Sequence, residues 1–179
     1  MVASTIVNTA LPPIVADLGG SQTGYTWVVV GTLLAMTATT PVWGKLADLF
    51  EQKFLTQLAL IIFAFGSLVA GFSDSMATLI GARVIQGLGI GGLVALVQVV
   101  IASMVPPRER GRYAGYTGAV FAVATVSGPL IGGLVVDTLG WRCGFWVSLP
   151  FAVAAWFLLQ RTLKLPPRPR KAVQIDYVG

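Results

Sequence analysis

Residues 77–104 read ATLIGARVIQGLGIGGLVALVQVVIASM, an apolar run that holds a single charged side chain, that of Arg83. A helix needs about 20 mostly apolar residues to cross the hydrocarbon core of a bilayer, so this run predicts a transmembrane helix. The whole chain is rich in apolar residues, since 55% of its 179 residues are hydrophobic and 11% are charged. Soluble domains carry about 25% charged residues. We therefore predict an all-α integral membrane protein whose partner is the lipid bilayer.

The composition excludes most enzymatic sites. The chain has no histidine and one cysteine, Cys143. Histidine-dependent catalytic triads, histidine-based metal sites and intrachain disulfides therefore cannot form. We predict that the protein is not an enzyme and that it has no catalytic residues, no metal site and no cofactor. The chain has a formal net charge of +5. Basic cytoplasmic loops of a membrane protein account for such a charge, so it does not indicate a nucleic-acid partner.

Charged residues divide the chain into six apolar segments. The predicted spans cover residues 1–16, 25–44, 54–73, 77–104, 113–136 and 143–160. They form one six-helix transmembrane domain over residues 1–160, and a basic, proline-rich linker follows over 161–179. The first span reaches only about 24 Å, so we expect a helix that has lost its beginning. We also expect further helices to follow the linker.

The connectors between the spans predict the orientation in the membrane. Ten of the twelve Lys and Arg residues lie in three segments, residues 45–53, 106–112 and 161–176. The opposite connectors hold one basic residue, Arg142. Because basic connectors stay in the cytoplasm, we predict a multi-pass protein of the cell membrane with both termini cytoplasmic.

Arg83 is the candidate functional residue inside a span. An ionisable side chain is costly at membrane depth and tends to face a partner or a water-filled path. Gln86 follows three residues later on nearly the same helix face, so the two side chains can act together. The alternative is that Arg83 reaches a lipid headgroup or pairs for structural reasons. The glycines of residues 87–92 contain G-x-G-x-x-G, but no strand precedes them, so they do not predict a nucleotide site.

Glycines recur at four-residue spacing in two of the predicted spans. Gly87 and Gly91 lie in span four, and Gly128 and Gly132 lie in span five. Small residues at this spacing let helix backbones approach closely in a membrane. Pro129 removes a backbone hydrogen bond, so Gly128-Pro129 also predicts a bend in span five.

Four sequence blocks resemble the major facilitator superfamily, and most closely the multidrug efflux group of many-spanning drug:proton antiporters. The blocks are residues 4–12 (STIVNTALP), 44–53 (GKLADLFEQK), 83–89 (RVIQGLG) and 127–133 (SGPLIGG), with Gly115 earlier in span five. They occur in the order and in the spans that the family pattern requires. The resemblance covers nearly the whole chain.

The resemblance implies one half of a major-facilitator fold, the amino-terminal six-helix bundle. It would work with a second six-helix half by alternating access about a shared site. The implied function is efflux of drugs or other small amphipathic or cationic compounds, with protons as the coupling ion. Two alternatives stay open. One is a metabolite or sugar facilitator of the same superfamily, and the other is a truncated membrane protein that does not transport.

The resemblance also implies roles for individual residues. Asp48 would belong to the gate at the cytoplasmic face, and Arg83 would couple protonation to conformational change. Gly128 and Pro129 would shape span five. Spans one, two, four and five would line the cavity, where the substrate candidates are Asn8, Trp27, Met36, Gln86 and Tyr116. Lipid contact or an interfacial aromatic belt is the alternative for the large side chains.

The chain departs from the antiporter pattern at four positions. Glu51 and Gln52 stand where the loop after span two usually has Gly and Arg, and Ala124 replaces a Gly of span five. Ala3 stands where these antiporters usually carry an aspartate. No acidic residue then remains deep in a predicted span, so a proton carrier must come from the second half or the function is altered.

Overall fold

The structure of this chain is a computed structural model that describes the backbone of residues 2–162. The side chains of residues 2–6, Asn8, Thr9 and Thr162 lie outside the described part, as do residues 163–179 of the predicted linker. The described residues form six helices: α1 (Val2–Asp17), α2 (Gln22–Leu49), α3 (Gln52–Gly71), α4 (Met76–Met104), α5 (Arg110–Leu139) and α6 (Trp141–Thr162). The prediction of an all-α, six-helix bundle is confirmed.

Five of these helices, α2 to α6, are long and apolar enough to cross a membrane. The helix α1 has 16 residues, and at about 1.5 Å per residue it is shorter than the hydrocarbon core of a bilayer. Its assignment as a span stays a prediction. The helix α6 continues to Thr162, so the predicted linker begins inside the last helix.

Short connectors with defined caps separate the helices. Ser21 begins α2, where its side chain accepts a hydrogen bond from the backbone N–H of Gly24 at 3.2 Å. Ser75 begins α4 in the same way, accepting from Thr78 at 3.2 Å. Gly140 ends α5 with a φ of 83°, a conformation that a residue without Cβ adopts readily. The connectors have one to five residues, so each helix turns back beside the one before it.

The helices pack as two groups of three. The helix α4 packs on α2 and α3, and α1 packs on α5 and α6, while α3 and α6 join the groups. The same pairs of helices stay in contact if α1 is exchanged with α4, α2 with α5 and α3 with α6. The segments α1–α3 and α4–α6 therefore form an internal structural repeat.

The two ends of the bundle have different cores. The "Asp17 end" carries the connectors of residues 18–21 and 72–75, and the "Lys53 end" carries those of residues 50–51 and 105–109. At the Asp17 end, one buried cluster joins five helices: Val7, Ala10, Leu11, Ile14, Val28, Ala70, Leu79, Ala82, Trp141 and Phe145. At the Lys53 end, the buried cluster comes from α2, α3 and α4 alone: Trp43, Ala47, Leu55, Ala59, Ala95 and Leu96.

Glycines of α4 allow its backbone to touch two neighbouring helices. A Cβ atom at Gly87 would lie 2.5 Å from the carbonyl oxygen of Thr32 in α2. A Cβ atom at Gly89 would lie 2.6 Å from the backbone nitrogen of Phe63 in α3. Gly91 meets α2 in the same way, with a Cβ position 2.7 Å from the carbonyl oxygen of Met36. The predicted close packing at Gly87 and Gly91 is confirmed.

The buried residues of α5, which is described along its whole length, are Gly128 and Gly132. The helix α5 packs on α1, and the close approach that the spacing of Gly128 and Gly132 predicts stays a prediction. The helix continues through Pro129, and the bend at this position stays a prediction. Most large apolar side chains of α5 are exposed, so its remaining surface is suited to lipid or to another membrane segment.

Arg142, the basic residue that stands apart from the three basic connectors, is held by acceptors at the Asp17 end. Its Nη1 atom lies 3.2 Å from an oxygen of Asp17, and its Nη2 atom lies 3.3 Å from the carbonyl of Ser73 and 3.7 Å from Asp74. The indole nitrogen of Trp141 donates to the same Asp17 oxygen at 3.1 Å. These contacts join α1, α6 and the connector between α3 and α4.

We expect Gly87→Val to destabilise the bundle, because the added side chain would push α4 away from Thr32. The free energy of unfolding should fall by about 1–3 kcal/mol, measured by detergent or thermal unfolding of the purified chain in micelles. Gly81→Val is the matched control, since a Cβ atom at Gly81 of the same helix meets nothing within 4 Å. Equal losses for the two variants would contradict the close approach of α2 and α4.

Candidate functional site at Arg83

Arg83 lies inside the bundle, on the first half of α4, with 2% of its surface exposed. Its Nη1 group donates a hydrogen bond to the side-chain oxygen of Gln86. The Nε2 group of Gln86 donates in turn to the hydroxyl oxygen of Ser67 in α3, at 2.7 Å. Gln86 and Ser67 are fully buried. The structure thus brings the two polar residues predicted from α4 together and adds a third from α3.

Ser148 extends this cluster to α6. Its hydroxyl oxygen lies 3.3 Å from that of Ser67 and 2.6 Å from the carbonyl oxygen of Phe145. The hydroxyl has one proton, so it donates to one of these acceptors at a time. The polar cluster of Arg83, Gln86, Ser67 and Ser148 therefore reaches three helices.

Close packing at Gly66 places Ser67 against α4. A Cβ atom at Gly66 would lie 2.6 Å from the backbone nitrogen of Gln86 and 3.0 Å from the carbonyl oxygen of Ala82. A larger residue at this position would therefore separate α3 from α4. The next residue, Ser67, then lies within hydrogen-bond distance of the Gln86 side chain.

The guanidinium of Arg83 is incompletely paired. Its Nε atom is buried and has no hydrogen-bond partner among the residues that the structure describes. Both ion pairs found within residues 2–162 belong to Arg142. Burying a cation without an anion costs several kcal/mol in general. Because the Arg83 side chain is buried, it does not reach a lipid headgroup. Its buried position favours a functional role for Arg83 over contact with lipid.

The gate candidate Asp48 lies in the last turn of α2, at the Lys53 end, and its side chain is exposed. It forms no ion pair with another residue of the described chain. The neighbouring Glu51 is exposed as well, whereas Gln52 is buried. The side-chain oxygen of Gln52 accepts a hydrogen bond from Ser103 at 3.3 Å. Gln52, which replaces the usual arginine, therefore joins α3 to the end of α4.

The other cavity candidates with described side chains lie on two helices, α2 and α5. Trp27 is half exposed near the start of α2, and Met36 is partly buried near the middle of that helix. Tyr116 is half exposed near the start of α5, where its hydroxyl accepts a hydrogen bond from Arg112 at 2.9 Å. The side chain of Asn8 lies outside the described part. Their roles in substrate binding stay predictions.

Tyr116 lies in an apolar groove that sequence reasoning did not find. The groove has a volume of about 480 Å³ and separates α4 from α5 at the Lys53 end. Its lining residues are Phe63, Ile90, Leu93, Val94, Val97, Gln98, Ile101, Tyr113, Tyr116, Thr117, Val120 and Phe121. The two tyrosines three residues apart on α5 are the sequence signal that could have indicated it.

Comparison with known proteins gives a consistent set of relatives. Residues 1–175 match the family model described as Major Facilitator Superfamily. The efflux pump FUS6 of Gibberella moniliformis is 39% identical over 98% of this chain and 32% of the pump. The efflux pump dotC of Dothistroma septosporum is 43% identical over 98% of the chain and 31% of the pump. An uncharacterized MFS-type transporter of Mycobacterium tuberculosis is 41% identical over 98% of the chain and 25% of the transporter. The chain thus spans about a third or less of these curated relatives.

We expect Arg83→Met to leave the bundle at least as stable as the wild type. The substitution leaves the buried Gln86 oxygen without its donor, which costs about 1–3 kcal/mol, but it removes the cost of several kcal/mol for burying an unpaired cation. The free energy of unfolding should therefore stay equal or rise by up to about 3 kcal/mol. Unfolding of the purified chain in micelles measures this. Arg142→Met is the control, since exposed ion pairs contribute less than about 1 kcal/mol. A clear loss of stability in Arg83→Met would show that Arg83 is a structural residue.

Proposed function

The chain belongs to the Major Facilitator Superfamily, and on that premise we propose that it is the amino-terminal half of a transporter that exports small amphipathic or cationic compounds in exchange for protons. Relatives that match almost the whole chain are named efflux pumps. The family consists of membrane transporters and not of enzymes. The protein crosses the membrane several times, and we place it in the cell membrane with both termini in the cytoplasm, because the basic connectors lie on one side.

The buried, incompletely paired guanidinium of Arg83 is the observation that carries the proposal. A protein that only needs packed helices gains nothing from a cation at this depth, since the cation lowers stability. A transporter gains a fixed positive charge beside the path of its substrate. Arginine stays protonated at neutral pH, so Arg83 supplies charge and does not carry the proton itself.

The proton carrier belongs to another part of the transporter. The acidic residues that the structure describes lie at helix ends or in connectors: Asp17, Asp48, Glu51, Asp74, Glu109 and Asp137. A carboxylate from the second six-helix half that approaches Arg83 would be stabilised in its charged form by the guanidinium. Protonation of that carboxylate would weaken the contact, and the two halves could then move relative to one another.

The apolar groove favours drug-like compounds over sugars as substrates. Sugar sites need several hydrogen-bonding side chains, because each hydroxyl group that loses its water needs a new partner. The groove between α4 and α5 instead offers aromatic and aliphatic side chains, with Gln98 and Thr117 as its amide and hydroxyl groups beside two tyrosines. Such a surface suits an amphipathic compound with a large apolar part.

Asp48 is proposed as part of the gate at the Lys53 end. It is exposed at the end of α2 and has no ion-pair partner in the described chain. It is therefore free to pair with a cation or a helix N-terminus of the second half. Glu51 offers a second carboxylate three residues away, on the connector rather than on the helix.

The first functional test is efflux of an ethidium-type cation by cells that produce the full-length transporter. Arg83→Ala should lower proton-driven efflux roughly tenfold or more, because the charge that links protonation to movement is lost. Arg142→Ala, at the exposed Asp17 end, should retain most of the activity. Proton-dependent efflux that is unchanged in Arg83→Ala would refute the coupling role.

A second test compares two neighbouring carboxylates. Asp48→Asn should slow efflux roughly two- to fivefold, the range expected for one lost contact between a carboxylate and a helix end or a cation. Glu51→Gln should have little effect, since only Asp48 matches the gate position of the family. Initial efflux rates at equal amounts of membrane-inserted protein measure the difference. Equal rates for the two variants would argue against a gate at Asp48.

A further inference from the structure

The orientation of the Gln86 side chain is set by Ser67. An amide has a donor end and an acceptor end, and Arg83 offers donors alone. The Gln86 oxygen must therefore face Arg83, and its Nε2 group must find an acceptor elsewhere. The hydroxyl oxygen of Ser67, 2.7 Å from Nε2, is that acceptor. If the amide were reversed, two donors would face one another inside the bundle.

Burial and close packing around Ser67 hold the Gln86 side-chain amide in this orientation. Ser67 is fully buried, and so is Gln86. The close approach of α3 to α4 at Gly66 fixes the distance between the two side chains. On its other side, Ser67 lies 3.3 Å from the hydroxyl oxygen of Ser148, and the carbonyl oxygen of Phe145 is the nearer acceptor for the Ser148 proton. Ser148 therefore supports Ser67 but is not its main partner.

We propose that Ser67 is a positioning residue for Arg83 and acts through Gln86. It keeps the Gln86 oxygen on the guanidinium, so that Nη1 of Arg83 is held in place. This role rests on the proposed transport function. It gives α3, a helix that the resemblance places outside the cavity, a direct part in the coupling site.

The contact itself is tested on the chain alone, by a double-mutant cycle between Ser67→Ala and Gln86→Leu. Each single change leaves a buried polar group without its partner, and the double change removes both groups. We expect the unfolding equilibrium constant of the double variant to differ from the product of the single effects by roughly fivefold or more. Ser73→Ala, which removes a buried serine hydroxyl bonded to the carbonyl of Ala70, should be additive with Gln86→Leu. Additivity for Ser67→Ala would overturn the proposal.

The positioning role is tested by efflux of the full-length transporter. Ser67→Ala should lower proton-driven efflux roughly tenfold, because the amide is no longer held. Ser67→Thr, which keeps an acceptor oxygen for the Gln86 amide, should lower efflux less than about twofold. Equal losses for Ser67→Ala and Ser67→Thr would show that the hydroxyl oxygen is not what matters at this position, and that result would overturn the proposal.

The two proposals fail in different ways. If the wild-type protein shows no proton-dependent efflux, the proposed function is wrong, while the double-mutant cycle still decides whether Ser67 holds Gln86. If efflux is proton-dependent and Ser67→Ala keeps its rate and its pH profile, Ser67 has no positioning role although the transport function stands. Ser148→Ala should have a smaller effect than Ser67→Ala, because its proton has the nearer acceptor at Phe145.

Discussion

The close contact of the α4 backbone with α2 and α3 is the constraint on which the rest of this structure depends. Glycines at 87 and 91 allow the approach to α2, and Gly89 allows the approach to α3. Lipid surrounds the helices of a membrane protein, so their association relies on such short distances and on hydrogen bonds between helices. The same contact brings Gln86 within reach of Ser67 and buries Arg83. Packing and polar chemistry therefore share one helix interface.

Much of the fold could be predicted because lipid imposes simple rules. Long apolar runs must be helices, since their backbone groups have no water to bond with. Arg83 and Gln86 could be paired from their spacing on one helix. Ser67 and Ser148 could not be predicted, because single serines are common in membrane helices and their partners come from distant parts of the chain. The groove between α4 and α5 also depends on how two helices diverge, which no local pattern records.

Part of the charge distribution can be predicted from the sequence, and part depends on the tertiary structure. The basic connectors at residues 45–53 and 106–112 can be read directly from the sequence. Arg142 breaks that pattern, and its contacts with Asp17, Asp74 and the Ser73 carbonyl give the physical reason. Its charge is matched by two carboxylates on the same side. The position of Arg142 away from the basic connectors is thus explained by spatial neighbours that are distant in the sequence.

The order of helix contacts has a consequence for how the chain assembles during synthesis. The helices α2, α3 and α4 are consecutive and build their own core at the Lys53 end, so they can associate as soon as α4 has entered the bilayer. The helix α1 packs mainly on α5 and α6, which leave the ribosome after α4. It must therefore wait, already inserted, until almost the whole bundle has been made. Ribosome pausing or a chaperone that acts during this interval would affect α1 more than any other helix.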